Sequence, residues 1–404
     1  MSDGTPFRFL TSGSPTYDDV VNARSILTVA AAALLLTACS GSKVKDAVTP
    51  KDPISLSASV KDDAKGVTVD TIVTADAEHG SISEVTLASA DGKSTIDGRI
   101  SGTQWIASDR LEPGTQYKLT VKGTGDDDKE GTLERTFTTE ALTLQQQTYP
   151  SVAPLKNETV GVGMPVIVTF DLPVKNKALY ERNMQVTSDQ DVEGSWSWIN
   201  DRVVHYRPKD FWPAGTKVTV NLRLNGLPAG NGVYGQQNQK VPFKIGRKVI
   251  STVDVAAHRL IVRIDGQAAR TIPVSTGDSK HRTRQGTKVI MEKLPKVDMD
   301  AATTGVDSED PDYYDISDVK WAMRVTNSGE FLHAAPWSAA SHGRANVSHG
   351  CTGMSTANAD WLYHQSRRGD VVKFTNSPRG MEDQNGWTDW NVSWDDWKAG
   401  SALA

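Results

Sequence analysis

Between residues 54 and 245 the apolar positions recur at every second residue in short runs. The first block carries "GVTVDTIVTA", "QYKLTVKG" and "LERTFTTE", and the second "PVIVTFDLPV", "RVVHYRP" and "KVTVNLRL". A period of two sends one row of side chains to a core and the other to water. Turn clusters such as "EPGT" and "GDDDKEG" break the runs, which predicts antiparallel strands packed as sandwiches. The blocks share a landmark: "RLEPGTQYKLTV" around Gly114-Thr115 answers "DFWPAGTKVTVNL" around Gly215-Thr216, 101 residues on.

That spacing is about one immunoglobulin-like domain. We therefore expect two such domains, 54–140 and 149–245, arising by internal duplication and joined by the Gln-rich "TLQQQTYP". Neither block holds a cysteine or a cluster of histidines and carboxylates. Trp105, Trp196, Trp198 and Trp212 read as core or interdomain contacts, and the pair reads as a stalk.

From Gly246 the pattern changes. "KVISTVDVAAHRLIVRIDGQAARTIPVSTG" reads as two or three strands with a tight hairpin at Asp265-Gly266. "MEKLPKVDMDAATTGVDSEDPDYYDISD" is rich in turn and charged residues and long for a passive loop, so a lid or binding segment is expected. "STANADWLYHQSRRG" predicts a helix with Ser355 or Thr356 as N-cap, a face of Ala359, Leu362 and Tyr363, and a stop at Gly369. "DVVKFTN" then closes the sheet. In the tail 377–404, Trp387, Trp390, Trp394 and Trp397 fall at spacings of three, four and three. A helix would align them, and packing on the preceding domain, 246–376, is expected.

The formal net charge of −5 shows no clustered basic face, so a nucleic-acid partner is set aside. The apolar run Ile26 to Leu36 is eleven residues, the length of a signal h-region and short of a membrane span. Its end, Leu36-Thr37-Ala38-Cys39, resembles a bacterial lipobox. Residues 1–38 then read as a lipoprotein signal peptide, with lipidation at Cys39 and a polar tether over 39–53. Arg8 and Arg24 against Asp3, Asp18 and Asp19 make a poor signal n-region, which points to a true start at Val20 or Val21. The expected location is outside the cell, lipid-anchored in the membrane and facing the wall. With Cys39 lipidated, Cys351 has no disulfide partner within the chain, and in an oxidising compartment its thiol asks for a reason.

"SHGRANVSHGCTGMS" surrounds that thiol. A cysteine is a good nucleophile only as the thiolate, which an adjacent imidazole supplies by taking the proton. His333, His342 and His349 are near in sequence. On an extended strand His349 shares a face with Cys351, and Gly350 between them allows close backbone approach and frees N–H groups for an oxyanion. Zinc is the competing reading, but there is one thiol, no Cys-x-x-Cys and no His-x-x-x-His, so no metal is assigned. A buried inert cysteine is the bland alternative.

"FLHAAPWSAASHGRANVSHGCTGMS" resembles the L,D-transpeptidases of the YkuD type, whose signature is a histidine followed after a spacer by Ser/Thr-His-Gly-Cys. His333 and Ser348-His349-Gly350-Cys351 fill those positions, with 17 residues between His333 and Cys351. The resemblance extends over about 247–404, and the lipobox and sandwiches look like actinobacterial lipoprotein members. It implies a mainly β chain: two immunoglobulin-like sandwiches, then a β-rich YkuD-type catalytic domain with a short helix and a Trp-rich tail. It implies that Cys351 attacks the bond between meso-diaminopimelate and D-Ala in a peptidoglycan tetrapeptide stem, releasing D-Ala and leaving an acyl-enzyme. A second stem's amine then makes a 3→3 cross-link. His333 is the implied base, oriented by a nearby backbone carbonyl; His349 and the N–H groups of Gly350 and Cys351 shape the turn and the oxyanion hole, with Ser348 at the cleft. Met299, Tyr314 (or Tyr313) and Trp337 would border the substrate.

Two positions depart from the family pattern. Ala334 follows the base where serine or glycine is common, and Gly353 stands where Asn or Arg is frequent. His342, in the Ser-His-Gly copy without a thiol, reads as a cleft-rim or loop residue. The expected partners are stem peptides, the membrane through Cys39, and carbapenem β-lactams as inhibitors, with no cofactor required. An L,D-carboxypeptidase or hydrolase using the same thioester, and a non-catalytic wall-binding lipoprotein, are the alternatives.

Overall fold

In the computed structural model, residues 51–304, 306–310 and 313–404 are described. The signal segment with its start at Val20 or Val21, the lipidation site Cys39 and the tether up to residue 50 lie outside the described residues.

The alternating blocks are sandwiches. In the first, strands Ser55–Ala58, Thr74–Glu78, Gln104–Ala107 and Gly98–Ser101 form one sheet in that order. Its second sheet runs Ala64–Val67, Glu130–Thr139, Gln116–Gly125, Gly80–Ser89 and Thr95–Ile96. Along Gln116–Gly125 every second residue is buried, with Tyr117, Leu119 and Val121 turned inward. The second sandwich repeats the order with Pro150–Ala153, Val166–Phe170, Val203–Pro208 and Gly194–Trp198 on one side. Thr159–Val160, Gln239–Ile245, Lys217–Leu222 and Met184–Ser188 form the other.

The landmark is the same turn in both. Gly114 and Gly215 have φ of +61° and +83°, a region that glycine enters without strain. The hydroxyls of Thr115 and Thr216 donate back to the carbonyls of Pro113 and Pro213 at 3.1 and 2.7 Å. Trp105, Trp196 and Trp212 are buried in the two cores.

After Gly246 two sheets pack around a core that includes Val253, Leu260, Met323, Leu332, Leu362 and Phe374. The first orders Gln267–Pro273, Arg259–Ile264, Val249–Asp254, Val371–Thr375 and Gly286–Val289. Asp265 and Gly266 both have positive φ, as a two-residue hairpin turn with matching twist requires. The second orders Glu292–Asp300, Asp315–Arg324, Phe331–Ala334 and Thr352–Met354.

The expected long loop is thus largely a hairpin: Glu292–Asp300 pairs antiparallel with Asp315–Arg324. Alternation was hidden because Met299 is the one buried residue of Glu292–Asp300, Leu294 and Val297 pack beside it only partly covered, and the register shifts between Val297 and Met299. The helix spans Thr356–Gln365, with Ser355 Oγ accepting the Asn358 N–H at 3.3 Å. It stops at Ser366, in extended conformation, and Gly369 serves the later turn at φ +92°.

The tail corrects another expectation. It is a 3₁₀ turn, Asp389–Asn391, and a short helix, Trp394–Ala399, and it packs on the second sandwich. The Arg207 guanidinium lies 5.0, 5.3 and 4.8 Å from the ring centres of Trp390, Trp394 and Trp397. The indole N–H of Trp390 donates to Gly163 O at 2.8 Å, and that of Trp397 to Ser195 O at 3.0 Å. With the domain that follows Gly246 the tail makes polar contacts, such as Asn391 Nδ2 to Thr287 O at 2.8 Å and Asn327 Nδ2 to Gln384 O at 3.0 Å. A buried indole N–H usually finds an acceptor and the ring face attracts a cation, and here the sandwich supplies both.

Candidate active site

Strands Phe331–Ala334 and Thr352–Met354 run parallel, with Leu332 opposite Thr352 and His333 opposite Gly353. Parallel neighbours need a crossover of about a dozen residues or more. The 17 residues separating His333 from Cys351 are that crossover, so the motif spacing has a topological cause. It brings the histidine and the thiol to one cleft.

The turn before the second strand is clamped from both sides. Gly350 has φ of +121°, a conformation that a side chain rarely permits. Ser348 Oγ accepts the Gly350 N–H at 3.1 Å and donates to Cys351 O at 2.7 Å. Thr283 Oγ1 donates to Gly350 O at 2.8 Å and accepts the Gly277 N–H at 2.8 Å. The Gly350 N–H is therefore engaged within the turn, which corrects the expectation that it faces an oxyanion. Cys351 is half-buried, and its thiol donates to Gly329 O at 3.5 Å.

His333 is buried, with Nδ1 2.8 Å from Ala334 O. A carbonyl only accepts, so Nδ1 carries the hydrogen and Nε2 is left as the acceptor. The Ala334 departure costs nothing here, because the backbone makes the bond. Burial, with His342 nearby, holds the imidazole down to about 4. Burial also pushes the Cys351 thiol up to about 11; Glu330 adds to the rise, while a Phe331 backbone bond, Lys288 and Arg324 oppose it. At neutral pH the resting pair is thus an uncharged thiol and an uncharged imidazole.

Met299, Tyr314, His333, Trp337, Ser348, His349 and Cys351 line a half-open cleft of about 190 Å³, together with Ile316 and Val347. Tyr313 is not among its lining residues, which resolves the one-residue ambiguity. Trp337 is exposed at the rim, its ring 5.8 Å from and nearly parallel to that of His333. His349 does not share an extended face with the thiol, since the chain bends at Gly350 and the strand begins only at Thr352. Its ring lies 4.9 Å from Tyr314 and 4.5 Å from His281.

His281 escaped the sequence reading because it is distant along the chain. Asp278 and His281, held by Asp278 Oδ1 at 3.1 Å from His281 Nδ1, had only the turn-rich "TGDSKHR" as a signal. His342 ends the 3₁₀ helix Pro336–Ser341 and does not line the cleft. A Cβ on Gly353 would come within 2.8 Å of the Ala335 methyl, so packing already fills the space that an Asn or Arg would need. Among the described residues no three His, Cys, Asp or Glu side chains converge as metal ligands would.

Two sandwiches followed by a two-sheet domain with a cysteine–histidine cleft define a class, and comparison with known proteins identifies it. Residues 248–374 match the L,D-transpeptidase catalytic domain family, YkuD, and residues 64–228 match the bacterial Ig domain family. L,D-transpeptidase 2 of Mycobacterium tuberculosis is 36% identical, over 92% of this chain and 90% of its own length. L,D-transpeptidase 5 of the same organism is 33% identical, over 97% and 88%. A solved structure of the L,D-transpeptidase LdtMt1 in complex with imipenem has a TM-score of 0.50 at 33% identity, covering 56% of this chain and 97% of that one. The chain belongs to the L,D-transpeptidase family, and it is an enzyme of that kind.

Proposed function

We propose that the enzyme forms 3→3 cross-links in peptidoglycan through an acyl-enzyme on Cys351. The observation that carries this is the Nδ1–H of His333 held by Ala334 O at 2.8 Å, which leaves Nε2 as the base in the cleft that also holds the thiol. In the first half-reaction the thiol gives up its bond to Gly329 O and passes its proton to His333 Nε2. The thiolate adds to the carbonyl between meso-diaminopimelate and D-Ala, and the Ala334 carbonyl stabilises the imidazolium. D-Ala leaves as an amine, taking that proton, and the thioester remains. The amine of a second stem then attacks the thioester carbonyl and gives a proton to His333; the C–S bond breaks, and the departing Cys351 thiolate takes that proton back as the thiol.

With the Gly350 N–H bound to Ser348, oxyanion stabilisation falls first on the Cys351 N–H. Met299, Ile316, Val347 and Trp337 offer apolar walls for an aliphatic side chain, while His349 and Tyr314 offer polar edges. We assign substrate contact to these residues and to Ser348 the bracing of the nucleophile turn. A relative in this family has been solved with imipenem, and we propose carbapenem acylation at the same thiol. The export signal and a lipid on Cys39 would hold the enzyme at the outer face of the membrane, the sandwiches reaching toward the wall.

The full chain incubated with a disaccharide-tetrapeptide should release D-Ala and yield a dimer linked diaminopimelate to diaminopimelate. Tripeptide without dimer would make it a carboxypeptidase, and no consumption of tetrapeptide would remove both activities.

A further inference from the structure

Behind the nucleophile turn lies a buried cation that the mechanism above does not use. The Lys288 ammonium is fully buried, is paired with Glu330, and sits 3.9 Å from the centre of the Phe374 ring. Glu330, itself buried, also accepts from Arg284 through Nη1 at 3.0 Å and through its backbone N–H at 3.1 Å. Arg284 in turn reaches Glu382 at the outer end. A Cβ placed on Gly350 would lie 3.6 Å from Glu330 Cγ and Oε1, so the carboxylate rests against the turn that presents Cys351. Glu330 also follows Gly329, whose carbonyl accepts the thiol hydrogen. A buried ion pair is weak evidence for stability, since apolar residues of similar volume often do as well. Its placement under the nucleophile is the informative part.

We infer that Lys288, Glu330 and Arg284 form a positioning cluster for Cys351: it braces the turn, and its buried cations offset the Glu330 charge that lies against that turn. The inference rests on Cys351 being the nucleophile. At Glu330 two cations meet one anion, and at the outer end Arg284 is shared with Glu382, which Arg379 also pairs. Other groups face the thiol as well: His333 from the neighbouring strand, His349 from its own turn, and Tyr314 and Arg324 from the hairpin. Arg324, whose guanidinium lies 4.4 Å from the Phe331 ring, adds to the positive side. Among the charges, Glu330 acts most strongly on the thiol and opposes the thiolate, while Lys288 and Arg324 favour it and offset that effect.

The test is the rate of Cys351 alkylation by iodoacetamide on the full chain between pH 7 and 10, resolved from Cys39 by peptide mass mapping. That rate follows the thiolate fraction. Lys288→Met should displace the profile upward by about one pH unit, or about tenfold slower labelling at pH 8, and Glu330→Gln should displace it downward by a similar amount. The double variant, which restores the cluster's net charge, should fall within about threefold of the parent. A merely structural role would loosen the turn in both single variants and move both profiles the same way. Displacements of one sign, or none, overturn the inference. Should Lys288→Met fail to fold, Arg284→Met removes the same charge from the outer end and carries the same predicted sign. If imipenem and iodoacetamide both leave the parent Cys351 untouched, the nucleophile reading falls too. If the parent is acylated by imipenem while the variants' profiles coincide, this inference alone is lost.

Discussion

The molecule buries an arginine of the second sandwich beneath its tail and a lysine under its thiol, each against aromatic rings, and the two burials do different things. Arg207 is caged by Trp390, Trp394 and Trp397 and donates to Val392 O at 2.9 Å. Beside it His205 pairs with Asp389 at 3.1 Å, and Glu181 accepts the Ala402 N–H at 2.8 Å. These partners are a carbonyl, rings and two carboxylates that fasten the tail to the second sandwich. Lys288 instead meets a carboxylate that touches the turn of a thiol facing an open cleft. Burial of charge therefore does not mark a functional site by itself, and what sets Lys288 apart is its place behind a thiol that faces a cleft.

The comparison breaks most visibly at His333. Replacing it with alanine should slow acylation by about 10²–10⁴-fold, the usual worth of a positioned base, measured as the rate of adduct formation with a carbapenem. The parent's acylation profile should have its acid limb near pH 4, where His333 takes a proton, and run flat through the ordinary histidine range around 6.5. Near-parental acylation in His333→Ala would show that another group is the base. A smaller and opposite signature is expected at the tail. Trp397→Ala removes a buried indole from the second sandwich and should cost about 3–5 kcal/mol in denaturant unfolding. It should leave acylation within about twofold of the parent. If acylation falls with stability, the tail belongs to the active site and the contrast between the two regions is wrong.

Much of this was legible from local pattern. Period-two alternation announced both sandwiches, and the Gly-Thr landmark is the same left-handed turn in each. Asp265-Gly266 turned where its dihedrals demand. The separation of His333 from Cys351 was readable as a motif, and the fold explains it as a parallel crossover. What stayed hidden had no local signal. Strand Glu292–Asp300 buries only Met299 and its register shifts after Val297, so its apolar positions do not alternate and the hairpin looked like a loop. The tryptophan spacing could not name the surface they meet. Lys288 and Glu330 lie 42 positions apart in separate strands or turns, and only tertiary contact pairs them. The two Ser-His-Gly copies differ for the same reason. Ser341-His342-Gly343 closes a 3₁₀ helix, whereas Ser348-His349-Gly350 is pinned by Thr283 into the turn that presents the thiol.

The central claim is that Cys351 is the acyl-forming nucleophile, and intact-mass analysis of the full chain treated with imipenem tests it most directly. The account predicts one covalent adduct, mapped to Cys351 and absent from Cys351→Ala. An adduct at another residue, or one that persists in Cys351→Ala, would contradict it.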